Sequence, residues 1–139
     1  MATYNKFNQF VEDVAEGVHN LGTNQLVVAL TATANAPVAT NSVLANLTEI
    51  AYTNLSSRNI TTITSAQTSG TYKLDLTDLV LTASGAVASF QYVAVYNDTP
   101  TSPADPLIGW YNHGSSVTLA NGETYTIDFD NTNGFITIA

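Results

Sequence analysis

The chain has 139 residues and a mass of 14.7 kDa, enough for one domain with a sizeable core and too little for two. Hydrophobic residues make up 45% and charged ones only 10%, against roughly 25% in an average soluble protein, so Thr, Asn and Ser must wet most of the surface. Three basic residues, Lys6, Arg58 and Lys73, stand against eleven acidic ones, and the net charge of -8 argues against nucleic acid or an anionic membrane as partner.

The absence of cysteine removes disulfides, thiolate nucleophiles and cysteine-based metal sites. The opening "MATYNKFNQFVEDVAEG" lacks the basic start and apolar stretch of a secretion signal, and no apolar run approaches the ~20 residues that span a bilayer. These features predict a soluble product made in the cytoplasm.

In chain order, Tyr4, Phe7, Val11, Val14, Val18 and Leu21 recur at spacings of three and four, with Phe10 beside them. That stripe predicts an amphipathic helix from Tyr4 to about Val18, capped by Thr3, with residues 1–22 forming the helix and its link. The helix is expected to lie on its own sandwich, although its aromatic start would also suit anchoring in a partner's groove.

Residues 23–139 read as the sandwich. "QLVVALTA" (Gln25 to Ala32) is a strand apolar on both faces, Thr33 to Ser42 is a loop, and "SVLANLTEIA" is a short helical turn or an irregular edge. Strand then follows strand: "NITTIT", "TYKLDL", "LVLTA", "VASFQYVAVY", "LIGWY", "SVTL", "TYTIDF" and "FITIA". Ser69-Gly70, Ser84-Gly85, Asn121-Gly122 and Asn133-Gly134 separate them as turn signals of tight hairpins.

Alternation sets Tyr72, Leu74 and Leu76 opposite Lys73, Asp75 and Thr77, and Tyr125, Ile127 and Phe129 opposite Thr126 and Asp128. The strands with Phe90, Tyr92, Ala94 and Tyr96 opposite Val93 and Val95, and with Leu107, Gly109 and Tyr111 opposite Ile108 and Trp110, read as covered on both sides. The cover is expected from the other sheet and from the helix or another subunit. The fold class is mainly β: an antiparallel β-sandwich or jelly roll with one N-terminal helix in a single domain, 1–139.

Candidate chemistry is sparse. "DFDNTNG" (Asp128 to Gly134) begins like a calcium loop, but its glycine falls one place late and position twelve is Ala139, where a bidentate glutamate is required. His19 and His113 have no second histidine at ligand spacing, and Ser115 and Ser116 beside His113 form no nucleophile elbow. Phosphate loops are missing, and three N-x-S/T matches at Asn46, Asn54 and Asn59 read as chance in a chain so rich in Asn and Thr. No catalytic, metal or cofactor residue is assigned, and no enzyme activity is expected.

Between Tyr96 and Tyr111, "YNDTPTSPADPLIGWY" holds Pro100, Pro103 and Pro106, which lack amide donors and read as a stiffened link where strand pairing stops. The aromatic strand ending in Tyr96-Asn97-Asp98, this link, "PLIGW" (Pro106 to Trp110) and "ANGETYTIDFD" (Ala120 to Asp130) together resemble the C-terminal half of a family of small structural proteins of tailed bacteriophages. "YNKFNQFVEDVAEGVHNL" and "TSAQTSGTYKLDL" fit the same family, so the resemblance covers most of the chain and is least specific over Thr33 to Ser57.

The resemblance implies a virion β-sandwich that decorates or cements a capsid, with the major capsid protein and copies of itself, as a trimer, for partners. On that reading Tyr4, Phe7, Phe10 and Val11 are the expected anchors, and the link from Thr99 through Pro100 and Pro103 to Pro106 is a contact surface. A neck, tail or fibre component is the alternative within the virion. From another class, a carbohydrate-binding module would use Trp110, Tyr111 and Tyr96 as a stacking platform.

Overall fold

A computed structural model describes residues 2–139. Ten strands, one short α-helix and one 3-10 turn alternate along these described residues: β1 (Thr3–Lys6), α1 (Gln9–Ala15), β2 (Leu26–Thr31), a 3-10 turn (Leu44–Asn46), β3 (Asn59–Ile60), β4 (Thr62–Thr68) and β5 (Thr71–Leu76). They continue with β6 (Leu79–Thr82), β7 (Phe90–Asn97), β8 (Leu107–Val117), β9 (Thr124–Ile127) and β10 (Ile136–Ile138). The protein is mainly β, and every strand pair is antiparallel.

One layer is a five-stranded sheet in the order β1-β8-β7-β2-β3. The facing layer is two smaller sheets, β10-β5-β4 and β6-β9. These two behave as one interrupted sheet, because β5 runs on into β6 while β9 runs on into β10 opposite them: Leu79 pairs with Ile127 and Leu74 with Ile136. Residues 128–135 are longer than the stretch 75–78 that they face, so the excess loops out as an exposed turn at 130–133 while Phe129 and Phe135 stay in the core.

The main core lies between the layers, where Val28, Leu30, Val93, Val95 and Ile108 of the large sheet meet Leu74, Leu76, Leu81, Ile127 and Phe129. A second cluster covers the outer face: Val27, Ala29, Ala94, Tyr96, Leu107 and Trp110 pack with Phe7, and Ala39, Leu44 and Leu47 of the following loop lie over them. This explains why β2 is apolar on both faces and entirely buried. The outer cover is the chain's own loop together with Phe7, not the helix.

The N-terminal segment departs from the expected helix. Thr3 to Lys6 are extended and pair with Asn112 to Gly109, so Thr3 caps nothing and the helix is confined to seven residues beginning at Gln9. Asn8 takes the cap position without a side-chain bond. The physical reason is long-range: the exposed flank of β8 gains a partner strand, which local periodicity does not record.

Helix α1 turns Phe10 and Val14 into the main core. Its buried Asp13 faces His19, whose Nδ1 meets the Asn97 side-chain amide at 3.1 Å; the same amide nitrogen donates to Asn24 Oδ1 at 2.8 Å. Gln9 donates to Asp13 Oδ1 at 3.2 Å. These contacts fasten the helix and its link to the end of β7.

Ser69 and Gly70, both with positive φ (52° and 83°), make the expected tight hairpin between β4 and β5. Ser84-Gly85, Asn121-Gly122 and Asn133-Gly134 turn the chain without pairing the strands on either side, because β6 joins β9, β8 joins β7, and β10 joins β5. "SVTL" is no separate strand: Ser116 and Val117 are the end of β8. Asp75, expected on an exposed face, is buried beside Lys73 at 3.2 Å.

In β8 an irregularity between the Val95–Gly109 and Tyr96–Leu107 pairs places an extra residue at Ile108. Leu107 therefore shares the outer face with Trp110, while Ile108 joins Tyr111 in the main core. Strict alternation had put Leu107 with Tyr111 and Ile108 with Trp110.

Candidate functional site

The sandwich is open along one side, where the edge strand β1 of the large sheet faces the β9–β10 line of the other layer. Two depressions line this side, and Tyr4 and Phe135 border both. Their rings meet edge-on with centroids 5.4 Å apart, so they divide one groove into halves.

The half beside the helix is apolar, with a volume of about 400 Å³, and is walled by Phe10, Val11 and Val14 of α1 and by Ile136 and Ile138 of β10. Lys6 stands at its margin. Val11 and Ile138 are exposed at 54% and 44%, more than isolated surface apolar residues need explain once they share one groove.

The other half is larger, about 980 Å³, and mixed in character. Tyr111 and Val93 form its floor, Tyr125, Phe129 and Phe135 its walls, and Asp128, Asp130 and Asn131 its rim. Exposed His113 at its margin shares a 3.1 Å hydrogen bond with the Tyr125 hydroxyl.

Tyr4 sits at the junction. Its ring packs at a tilt against Tyr111, with centroids 5.2 Å apart, and its hydroxyl end turns inward over Gly109, where a β-carbon would come within 2.6 Å of the ring carbon bearing the hydroxyl and 2.7 Å of the Asn5 carbonyl. A residue 37% exposed overall thus has a poorly hydrated phenol, and its pKa is raised by burial and then by Tyr111. Burial and the neighbouring Asp128 and Asp130 push the Tyr111 phenol up to about 12.

The bulged rim is held by its own residues. Asp130 accepts from the Asn133 amide at 3.0 Å, from the Asn133 side chain at 2.6 Å and from the Thr132 amide at 2.9 Å, which keeps its carboxyl below the usual range. Lys73 donates to the carbonyls of Asn131 and Thr132 at 3.2 and 3.4 Å. Phe129 donates its amide to Asp78 at 2.9 Å, and Phe135 donates to Leu74 at 2.8 Å. The stretch that begins like a calcium loop therefore commits Asp130 to its own turn.

The residues expected to anchor a partner separate. Tyr4 and Val11 are exposed in the groove and Phe10 lines it from a buried position, but Phe7 is fully buried on Trp110, with centroids 4.5 Å apart. Phe7 is thereby unavailable to a partner. Val14 of the N-terminal stripe completes the groove together with Phe135, Ile136 and Ile138; the last three were not singled out from sequence, where the alternation of "FITIA" was the available signal.

The link is a closed turn instead of an extended loop. Asn97 donates to the Pro106 carbonyl at 3.0 Å, continuing the β7–β8 ladder, and Thr101 bridges Ala104 within the turn. Thr99 Oγ1 accepts from the Gln25 amide at 2.9 Å, and Leu44 donates to the Asp105 carbonyl at 2.9 Å. Pro106 is buried and Pro100 partly so, leaving Thr99 and Pro103 exposed; none of them lines the groove.

The rings proposed for sugar stacking do not form a platform. Tyr96 and Trp110 are buried on the outer face, whereas Tyr111 belongs to the opposite face. Among the described residues, no group of three or more His, Asp or Glu side chains converges on a point where a metal could sit, and no helix is long and apolar enough to cross a membrane. Comparison with protein-family models, with curated proteins and with solved structures finds no match to this chain.

Proposed function

We propose that the chain is a structural component of a tailed-bacteriophage virion, a capsid decoration protein that stabilises the head by bridging capsomers of the major capsid protein. The observation that supports this reading is the groove along the open side, where Tyr4, Val11 and Ile138 are exposed together on a surface otherwise dominated by Thr, Asn and Ser. Apolar residues gathered between two strand edges favour protein contact, and the low charge leaves few ions to desolvate when subunits meet. The acidic balance carries no penalty on a capsid exterior, where no duplex is bound.

Cryo-electron microscopy and quantitative mass spectrometry of purified particles carrying this chain test the reading. Decoration requires a copy number on the scale of the capsomers and density on the outer shell. The few copies of a neck, tail or fibre component would move the protein to that part of the virion, and absence from particles would overturn the virion assignment altogether.

A further inference from the structure

Strand β1 ends the larger sheet and has a neighbour on one side only. The Phe7 amide donates to the Ile108 carbonyl at 3.2 Å, one step along the same register as the Lys6–Gly109 pair. Because hydrogen-bonded and non-bonded pairs alternate in an antiparallel ladder, the backbone N–H and C=O of Tyr4 and Lys6 then turn away from β8. They form an open edge that no further strand covers among the described residues.

We propose that this edge pairs antiparallel with the same edge of a second copy, about a two-fold axis at Asn5, so that Tyr4 of each copy stands opposite Lys6 of the other. The two five-stranded sheets become one continuous sheet across the dimer. A two-fold contact of this kind is self-complementary, so each favourable pairing occurs twice. It differs from the trimer that the resemblance implies.

Charge favours a second copy as the occupant. Of the basic residues, Arg58 pairs with Glu49 and Lys73 with Asp75, while Lys6 has no carboxylate partner among the described residues. Lys6 and Tyr4 are two apart on one strand and share the groove face. Opposite residues of an antiparallel pair also share a face, so the second copy's Lys6 comes beside Tyr4, toward the half of the groove rimmed by Asp128 and Asp130. An ammonium there meets carboxylates and the faces of Tyr4 and Tyr111 together.

The test uses the purified full-length chain, with oligomeric state read by light scattering and mass photometry over a concentration series. The unmodified chain is expected to dimerise. Lys6→Glu and, separately, Asp128→Lys should each weaken dimerisation about tenfold or more, and the double variant should recover it. Asp128 is chosen because Asp130 also holds its own turn.

Hydrogen exchange of the Tyr4 and Lys6 amides in the unmodified chain gives a readout free of any variant's folding: their protection rises with concentration if the edge pairs. A chain monomeric throughout, a trimer, a dimer indifferent to both charge reversals, or a double variant that stays weak overturns the proposal. The seam does not rest on the virion reading. A dimer absent from particles would sink that reading alone, and a particle-bound chain without edge protection would sink the seam alone.

Discussion

The carboxylate of Asp13 and the imidazole of His19 face each other inside the protein at 4.0 Å, and the facing atoms, Oδ2 and Nε2, form no hydrogen bond. Asn97 fixes the other side of the ring. Its Oδ1 accepts from the Thr99 amide at 3.2 Å, which leaves Nδ2 to face His19 Nδ1 as a donor. The neutral ring thus carries its proton on Nε2, toward Asp13.

Burial lowers the His19 pKa below its usual 6.5, and the nearby Asp13 charge only partly opposes this. The sign follows from linkage: below about pH 6.5 the unfolded chain binds a proton that the folded chain resists, so stability is lost as pH falls. Above that value this histidine contributes no slope. Chemical denaturation at several pH values should show a loss with a slope of at most about 1.4 kcal/mol per pH unit from this group, and His19→Gln should flatten it. An unchanged slope in the variant would assign the acid sensitivity elsewhere.

Phe7 connects the N-terminal segment to the sole tryptophan. Truncation by Phe7→Ala should cost about 3–5 kcal/mol, as for other fully buried aromatic side chains, and should red-shift Trp110 emission by admitting water to the outer face. Equilibrium unfolding and fluorescence of the native baseline measure the two effects separately. A Phe7 variant of unchanged stability would contradict the packing described for this face.

Gly109 is the position where the Tyr4 ring crosses the large sheet. Gly109→Ala sets a methyl against both the ring and the Asn5 carbonyl, so β1 or Tyr4 must shift, at a cost of about 1–3 kcal/mol. Pairing Gly109→Ala with Tyr4→Ala should recover part of that loss, because the ring is one of the two obstacles. A double-mutant cycle in thermal unfolding would detect the coupling; strict additivity would mean that the carbonyl alone resists the methyl.

Arg58 joins several groups beside β2. Its guanidinium lies over the Tyr52 ring at 3.7 Å, donates to the Val28 carbonyl and pairs with Glu49 at 3.7 Å; the Tyr52 hydroxyl in turn meets Glu49 at 2.5 Å and the Leu30 amide at 2.9 Å. Lysine keeps the charge but loses the planar stacking and the fork of donors. Arg58→Lys should therefore lower stability by about 1–2 kcal/mol in urea titration. Equal stability would reduce the arginine to a surface charge.

Much of the architecture was legible where a residue's environment is written into its neighbours. The apolar run Leu26 to Leu30 announces a strand covered on both faces, and Ser69-Gly70 announces a hairpin, because both signals are local. Tyr4 and Phe7 misled because spacing by three suits a helix, while their actual placement depends on β8, more than one hundred positions away. Likewise the extra residue at Ile108 is invisible in "PLIGWY", yet it decides that Leu107 keeps company with Trp110. The groove was half legible: Tyr4 and Val11 stood out by their periodicity, but only the folded chain brings Ile136 and Ile138 across from the opposite terminus.

The loop from Ala39 to Leu47 roofs the outer face of the large sheet with the chain's own residues. With its inner face already given to the core, that sheet can be extended only at its rim. Two copies joined at their β1 edges, as proposed above, would add breadth without adding thickness, so the pair would stay one domain deep.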